Sequence, residues 1–255
     1  MPIIRDTAPV FFPDKAIQIS KYIDLVKFIS ILYNKALFFC RLDKLEDQFE
    51  GKTAERNFAE RFDWFKEAAQ INNRIINDKD IIENVKALYD YQEKMKETTC
   101  ICCWNKAEEE SAALWKIYSD FGKGIMIKSS VSNIIESFAA TNETLRMSEV
   151  KYINYQNDRM SDGNIYFPLI HKQSAYKYEE EIRLIHEVGP TQIGKNFDWS
   201  KEEIKEGKLL KVDLNILIDE IIIGPYSPKW ILNLIEDLIG KYSLKKPVRF
   251  STLTI

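Results

Sequence analysis

The sequence predicts an α+β fold: a mixed or largely antiparallel sheet with flanking helices and an inserted helical hairpin. Two observations carry this. Short runs of strand-like alternation recur along the chain, among them KALFFCRL, TTCICCW, GKGIMIKSS, YEEEIRLIH, KLLKVDL and VRFSTLTI. Residues 53 to 98, by contrast, contain neither Gly nor Pro and carry apolar residues at helical spacing.

In chain order, YIDLVKFISIL reads as a helix from Tyr22 to Leu32, and residues 35 to 42 read as a strand. LEDQFEG follows as a loop closed by Gly51. In the 53–98 hairpin, Asp80 with Glu83 resembles a capping box, and Phe58, Phe62, Ile82, Val85 and Leu88 are expected to form the buried stripe. TTCICCW is the next strand, EEESAALWKIYSDF a helix, and residues 122 to 130 another strand. KYINY, residues 178 to 186, 208 to 214 and DEIIIGP continue the sheet. Ser227 and Pro228 read as the start of the helix through WILNLIEDLIGKY, and VRFSTLTI is a closing strand.

At 255 residues the chain is of single-domain size, so residues 1 to 255 are taken as one domain carrying the hairpin. It is 45% hydrophobic, ample for a core, and its net charge of −3 gives no strongly basic signature of nucleic-acid binding beyond local patches. The first residues lack a signal peptide's apolar run, and no segment approaches the roughly 20 apolar residues of a membrane span, so a cytoplasmic location is expected. Cys40, Cys100, Cys102 and Cys103 lack zinc-site spacing and read as free thiols. With two histidines in the chain, no metal is expected.

KYEEEIRLI, residues 177 to 185, raises the question of function. Tyr178, Ile182 and Leu184 alternate as one face of a strand, which would put Glu179, Glu181 and Arg183 on the other. Carboxylates about 7 Å apart on one face suit either a solvated edge or a site. Arg41 at a strand end, Asp47 and Glu50 in LEDQFEG, and Lys172 ahead of the glutamates are further polar candidates. Trp115 and Tyr118, three apart on a helix, read as core packing or as part of the same site. Glu206-Gly207-Lys208 has a nuclease-like Glu-x-Lys spacing but no matching upstream acid.

Read together, ALFFCRLDKLEDQFEG, CICCWN, ALWKIYSDFGKGIMI, HKQSAYKYEEEIRLI and DEIIIGPYSP resemble the bacterial and phage family known as domain of unknown function 2971. That family's loop usually reads Asn-Asp-Pro-Phe-Glu, its helix carries Trp-x-x-Tyr before a Gly-containing strand, and a Lys precedes Glu-x-Glu-x-Arg. The corresponding residues are Glu46 to Glu50, Trp115, Tyr118, Gly124, Lys172, Glu179, Glu181 and Arg183; Glu46 and Gln48 depart from the pattern. The likeness spans nearly the whole chain outside the hairpin and implies no reaction.

A second resemblance does. An early strand, a helix, a second strand and a late Glu-x-Glu strand are similar to the ADP-ribosyltransferase superfamily. It implies NAD as co-substrate, with Glu181 at the nicotinamide ribose, stabilising an oxocarbenium-like transition state. Glu179 would orient or deprotonate the acceptor, a protein or nucleic acid. Where that superfamily has His or Arg, this chain has Ser20-Lys21-Tyr22, which leaves Lys21, Tyr22 and Arg41 as candidate cofactor contacts, with Arg41 at the pyrophosphate. The resemblance also suggests a toxin or phage-defence effector. The competing expectation is a non-catalytic module whose polar cleft binds a nucleotide or peptide and whose hairpin docks a protein partner.

Overall fold

The computed structural model describes residues 3–4, 11–72, 77–106, 109–119, 122–161, 164–188, 191–193, 196–199 and 204–253. The strands before the middle of the chain are β1 (Ile3–Ile4), β2 (Gln18–Asp24), β3 (Ala36–Arg41), β4 (Thr99–Lys106) and β5 (Gly124–Ser130). Then come β6 (Leu145–Glu149), β7 (Lys151–Ile153), β8 (His171–Gln173) and β9 (Glu181–Glu187). The last are β10 (Thr191–Ile193), β11 (Asn196–Asp198), β12 (Gly207–Lys211), β13 (Glu220–Ile223) and β14 (Val248–Phe250). The helices are α1 (Leu25–Asn34), α2 (Glu55–Ile71), α3 (Asp78–Thr98), α4 (Ala112–Tyr118), α5 (Val131–Ser137), α6 (Leu214–Leu217) and α7 (Ile231–Lys241).

Ten strands make one sheet in the order β1-β6-β9-β4-β2-β5-β13-β14, with β3 joining β4 and β12 joining β3. Its pairings are antiparallel except β1 with β6 and β13 with β14, so the α+β expectation holds. Two strands share one edge of β4. β2 pairs with Asn105 and Lys106, and β3 pairs with Cys100 and Ile101. Among the described residues Cys102, Cys103 and Trp104 have no strand partner on that edge; the Lys21 ammonium donates to the Cys103 carbonyl there at 2.6 Å.

Alternation sorts the two faces. Cys100, Cys102 and Trp104 of β4, with Ile182 and Leu184 of β9, enter the main core. On the other face lie two smaller apolar groups, one around Tyr155, Phe167 and Ile185, the other around Tyr22, Trp115 and Met126. Ser20, Asn105, Lys128, Glu181 and Arg183 lie on this second face.

Local chemistry moves several predicted boundaries. Asp24 caps α1, its side chain accepting from the Lys27 N–H at 2.7 Å, so Tyr22 and Ile23 are strand rather than helix. Asn77 caps α3 by accepting from the Asp80 N–H, which leaves Asp80 inside the first turn. The buried stripe of α3 runs through Ile81, Val85, Gln92 and Met95; Ile82, expected in it, is 58% exposed. Leu88 and Phe62 are half-buried, and the Phe58 side chain lies outside the described set. α3 packs on β3, β4 and the turn Leu42–Lys44. Ser227 does not cap α7, which starts at Ile231. All four cysteines are free thiols. Among the described residues no helix is long and apolar enough to cross a membrane.

Candidate functional site

Five ionisable side chains meet on the second face, where β4 and β9 run side by side. Each arrives for a local reason. Asp47 builds a turn, its side chain accepting from the Phe49 N–H at 2.9 Å and its carbonyl from the Glu50 N–H at 3.1 Å. Gly51 leaves that turn at φ +72°, a conformation glycine adopts without strain. Glu50 is thereby turned inward, 4% exposed. Arg183, fully buried, stands on β9 opposite Cys103. Lys172 comes from β8.

Glu179 is not on the glutamate strand. Residues Ser174–Glu179 form a tight 3-10 turn, and Glu180 follows in the left-handed conformation at φ 41°. β9 begins only at Glu181. The expected face of Glu179, Glu181 and Arg183 on one strand is therefore corrected. Glu179 and Glu181 instead converge on one ammonium, Lys172 Nζ donating to Glu179 Oε2 at 2.6 Å and to Glu181 Oε2 at 3.2 Å. Its distance to Glu50 Oε1 is 3.5 Å.

Arg183 completes the network. Its Nε donates to Glu181 Oε1 at 2.6 Å, its Nη2 to Glu50 Oε1 at 2.8 Å and its Nη1 to the Leu169 carbonyl at 2.8 Å. The Tyr118 hydroxyl donates to Glu179 Oε1 at 2.5 Å, and the Tyr152 hydroxyl accepts from the Glu181 N–H at 2.8 Å. Asn105 Nδ2 donates to the Glu179 carbonyl at 2.9 Å.

Three carboxylates against two cations leave the cluster one negative charge in surplus, in surroundings where charges interact far more strongly than in water. Burial opposes the Glu181 charge, but Arg183 and Lys172 overcome it and hold its carboxyl well below the usual range. Glu179 moves the other way: burial lifts it above its ordinary value despite Lys172 and the Tyr118 hydrogen bond. Burial disfavours the Lys172 charge, yet Glu181, Glu50 and Glu179 keep it firmly protonated. Burial, then Glu179, pushes the Tyr118 phenol far up, so it stays a donor.

The other sequence candidates lie elsewhere. Arg41 is held by Asp43 at 2.5 Å and by the Ile204 carbonyl, at the Cys100 end of β4. Glu181 lies opposite Asn105, at the far end of β4, so Arg41 is outside the cluster. Asp47 shapes the Glu50 turn without entering the network, and Lys21 spans the β4 edge. Trp115 packs in the apolar group with Tyr22, ring centroids 4.9 Å apart, and its Nε1 donates to Glu110. The Tyr22 hydroxyl accepts from the Ser111 N–H at 2.8 Å.

The sequence reading passed over a row of polar residues that only strand register assembles. Lys128 on β5 pairs with Ser20 on β2, Ser20 with Asn105 on β4, and Asn105 with Glu181 on β9. At about 4.8 Å per strand the row runs for roughly 14 Å across the sheet. A cleft of about 350 Å³ opens at its Lys128 end, lined by Ser20, Met126, Lys128, Glu109, Glu110, Arg249, Thr252 and Leu253. Tyr176 was missed as well; its ring centroid lies 4.8 Å from the Lys172 ammonium.

No protein-family model matches the chain, so the likeness to domain of unknown function 2971 stands on its motifs, and no curated protein matches it. Similar solved structures include Thermus sp. 2.9 DarT in complex with NAD+, 8% identical with a TM-score of 0.40, over 94% of this chain and 96% of that chain. The same protein in complex with ADP-ribosylated ssDNA is 9% identical with a TM-score of 0.39, over 94% and 96%. Its complex with carba-NAD+ gives 8% and 0.37, over 94% and 97%. At these values the likeness carries no functional argument.

Proposed function

We propose that this chain is an ADP-ribosyltransferase-like enzyme that cleaves the nicotinamide–ribose bond of NAD and passes ADP-ribose to an acceptor. The observation that carries the reading is the buried surplus of carboxylate, three acids against two bases. When the glycosidic C–N bond breaks, its electron pair leaves with nicotinamide and the ribose carbon turns cationic. A preorganised anionic cluster stabilises that cation without having to reorient.

The three carboxylates differ in what they can do. Glu50 and Glu181 are bonded to Arg183 and Lys172, both buried. Glu179 alone of the three is bonded to a partly exposed side chain, Tyr118 at 38% exposure. Glu179 is thus the carboxylate placed to touch a ligand, and its raised pKa suits it to take the acceptor's proton as the acceptor bonds to the ribose carbon. Glu181 supplies fixed negative charge behind it.

The test is release of nicotinamide from NAD, with water as the default acceptor. Wild type should release it, and Glu179→Gln should lower the rate by about 10² or more. A folded wild type that releases none removes this reading. One observation favours a second reading, a non-catalytic binding module: both Glu181 oxygens are already engaged by cations. NAD binding without turnover would select it.

A further inference from the structure

We propose that Glu110 is a positioning residue for the cluster carboxylate Glu179: it clasps residues 249–252 to α4 and so holds Tyr118 in place. The inference deepens the reading above by naming a residue that governs the same site, and its kinetic arm rests on that reading.

Five donors converge on this one carboxylate. Its side chain is 7% exposed. Trp115 Nε1 donates to Oε2 at 3.1 Å, and the Ser251 hydroxyl donates to the same oxygen. Oε1 accepts from Arg249 Nη1 at 3.3 Å, from the Thr252 N–H at 3.1 Å and from the Thr252 hydroxyl at 3.2 Å. Trp115 belongs to α4; Arg249, Ser251 and Thr252 lie on β14 or just beyond it. Burial opposes the Glu110 charge, but the hydrogen bonds from Ser251, Thr252, Trp115 and Arg249 outweigh it and hold the carboxyl below its ordinary value.

The clasp reaches Glu179 through a short helix. α4 has seven residues, and Trp115 and Tyr118, three apart, share one side of it. The Trp115 ring stands edge-on to Tyr22 at 4.9 Å and lies so close to Gly124 and Gly224 that a Cβ there would come within 3.0 and 3.1 Å of it. Glu110 accepts the indole N–H and thereby fixes how the ring turns in that slot. A tilt of the ring carries α4 with it, and α4 ends at Tyr118, whose hydroxyl meets Glu179. The other groups that face Glu179 are Lys172 of β8, Glu181 of β9, Tyr152 of β7 and Tyr178 of its own turn. All of these stand on other elements, so Tyr118 is the contact through which the clasp acts.

The experiment is an NMR titration of the side-chain carboxyl carbons in the full chain labelled on glutamate, the Glu179 signal being assigned by its loss in Glu179→Gln. Burial raises the Glu179 pKa, and Lys172 and the Tyr118 bond offset part of the rise. Losing the Tyr118 bond should therefore move the Glu179 midpoint upward, as read in Tyr118→Phe. Glu110→Gln turns an amide towards the clasp's donors and should move the midpoint the same way. The double variant should move it no further than Tyr118→Phe alone. Arg249→Met, which removes one donor, should give a smaller upward shift and serves where Glu110→Gln does not fold. In the kinetic arm, the acid limb of nicotinamide release should move to higher pH in the same variants. A midpoint unmoved in Glu110→Gln, or in Arg249→Met where that variant stands in, overturns the inference, as does a double-variant shift equal to the sum of the singles. A merely structural clasp would lower stability without moving the midpoint. Coupled midpoint shifts in a protein that releases no nicotinamide would sustain the positioning role and remove the transferase reading. Nicotinamide release with an unmoved midpoint would do the reverse.

Discussion

The Tyr118 hydroxyl donates to Glu179 across 2.5 Å, tying the last residue of α4 to the carboxylate that precedes β9. The contact joins an exposed side chain to a buried cluster, so whatever displaces Tyr118 also frees one oxygen of Glu179.

Tyr118→Phe keeps the ring and deletes the donor. The Lys172 bond to the other oxygen remains, so the fold should lose only about 1–2 kcal/mol, readable as a shift in urea midpoint. Nicotinamide release should fall by roughly tenfold. An unchanged rate would separate Tyr118 from the chemistry.

The two glutamates give opposite pH dependences. Glu181 has its folded-state pKa depressed below the ordinary glutamate value of 4.5. Its contribution is therefore fully present above about pH 5 and is lost as pH falls towards the folded value, where the unfolded chain binds the extra proton. Glu179 has its folded-state pKa raised above 4.5, so from there up to that folded value the native state holds the extra proton and stability declines with rising pH. Melting temperature against pH should rise from pH 3 to 5 in wild type, and the rise should flatten in Glu181→Gln. A Glu181→Gln curve parallel to wild type would contradict the assignment.

Removing Arg183 should be among the costliest single changes. Arg183→Met leaves Glu181 and Glu50 buried with only Lys172 between them, and about 3–5 kcal/mol of stability should go. Adding Glu181→Gln to Arg183→Met should return part of it, because the second change removes a stranded charge. Chemical denaturation of the single and double variants measures the coupling directly.

Gly124→Ala tests how α4 sits on the sheet. A Cβ there would lie 2.6 Å from the Ser119 side chain and 3.0 Å from the Trp115 ring. The loss should be about 1–3 kcal/mol, as for overpacking, with the Trp115 fluorescence altered as α4 is pushed outward. Wild-type stability and spectrum in Gly124→Ala would show that α4 yields freely.

Much of this was legible in the sequence. Alternation located β3, β4, β5 and β9 to within a few residues, because each buries one face in the main core. Of the polar candidates, Glu50, Lys172, Glu179, Glu181 and Arg183 do meet as a group. Tyr178 misled, since its spacing from Ile182 and Leu184 imitates a strand while the chain turns at Glu180; periodicity does not register a single left-handed residue. Arg41 misled for another reason. Nearness in sequence to Glu50 says nothing about where along β4 each arrives, and register places Arg41 at the opposite end. Ser20, Asn105 and Lys128 gave no signal as a group because each sits on a different strand, and only pairing makes them a row.

The sharing of β4 by β2 and β3 has a consequence for the order in which the chain is synthesised. β2 waits for β5, at residues 124–130, for its full-length partner, and β4 waits for β9, at residues 181–187. β3 obtains its outer neighbour only when residues 207–211 emerge. A ribosome that has released the first 180 residues has therefore exposed several unpaired strand edges, and Glu50, Lys172 and Glu179 have emerged without Glu181 and Arg183. Such a nascent chain carries surface prone to wrong pairing, and closing the cluster is a late event that coincides with completing the sheet.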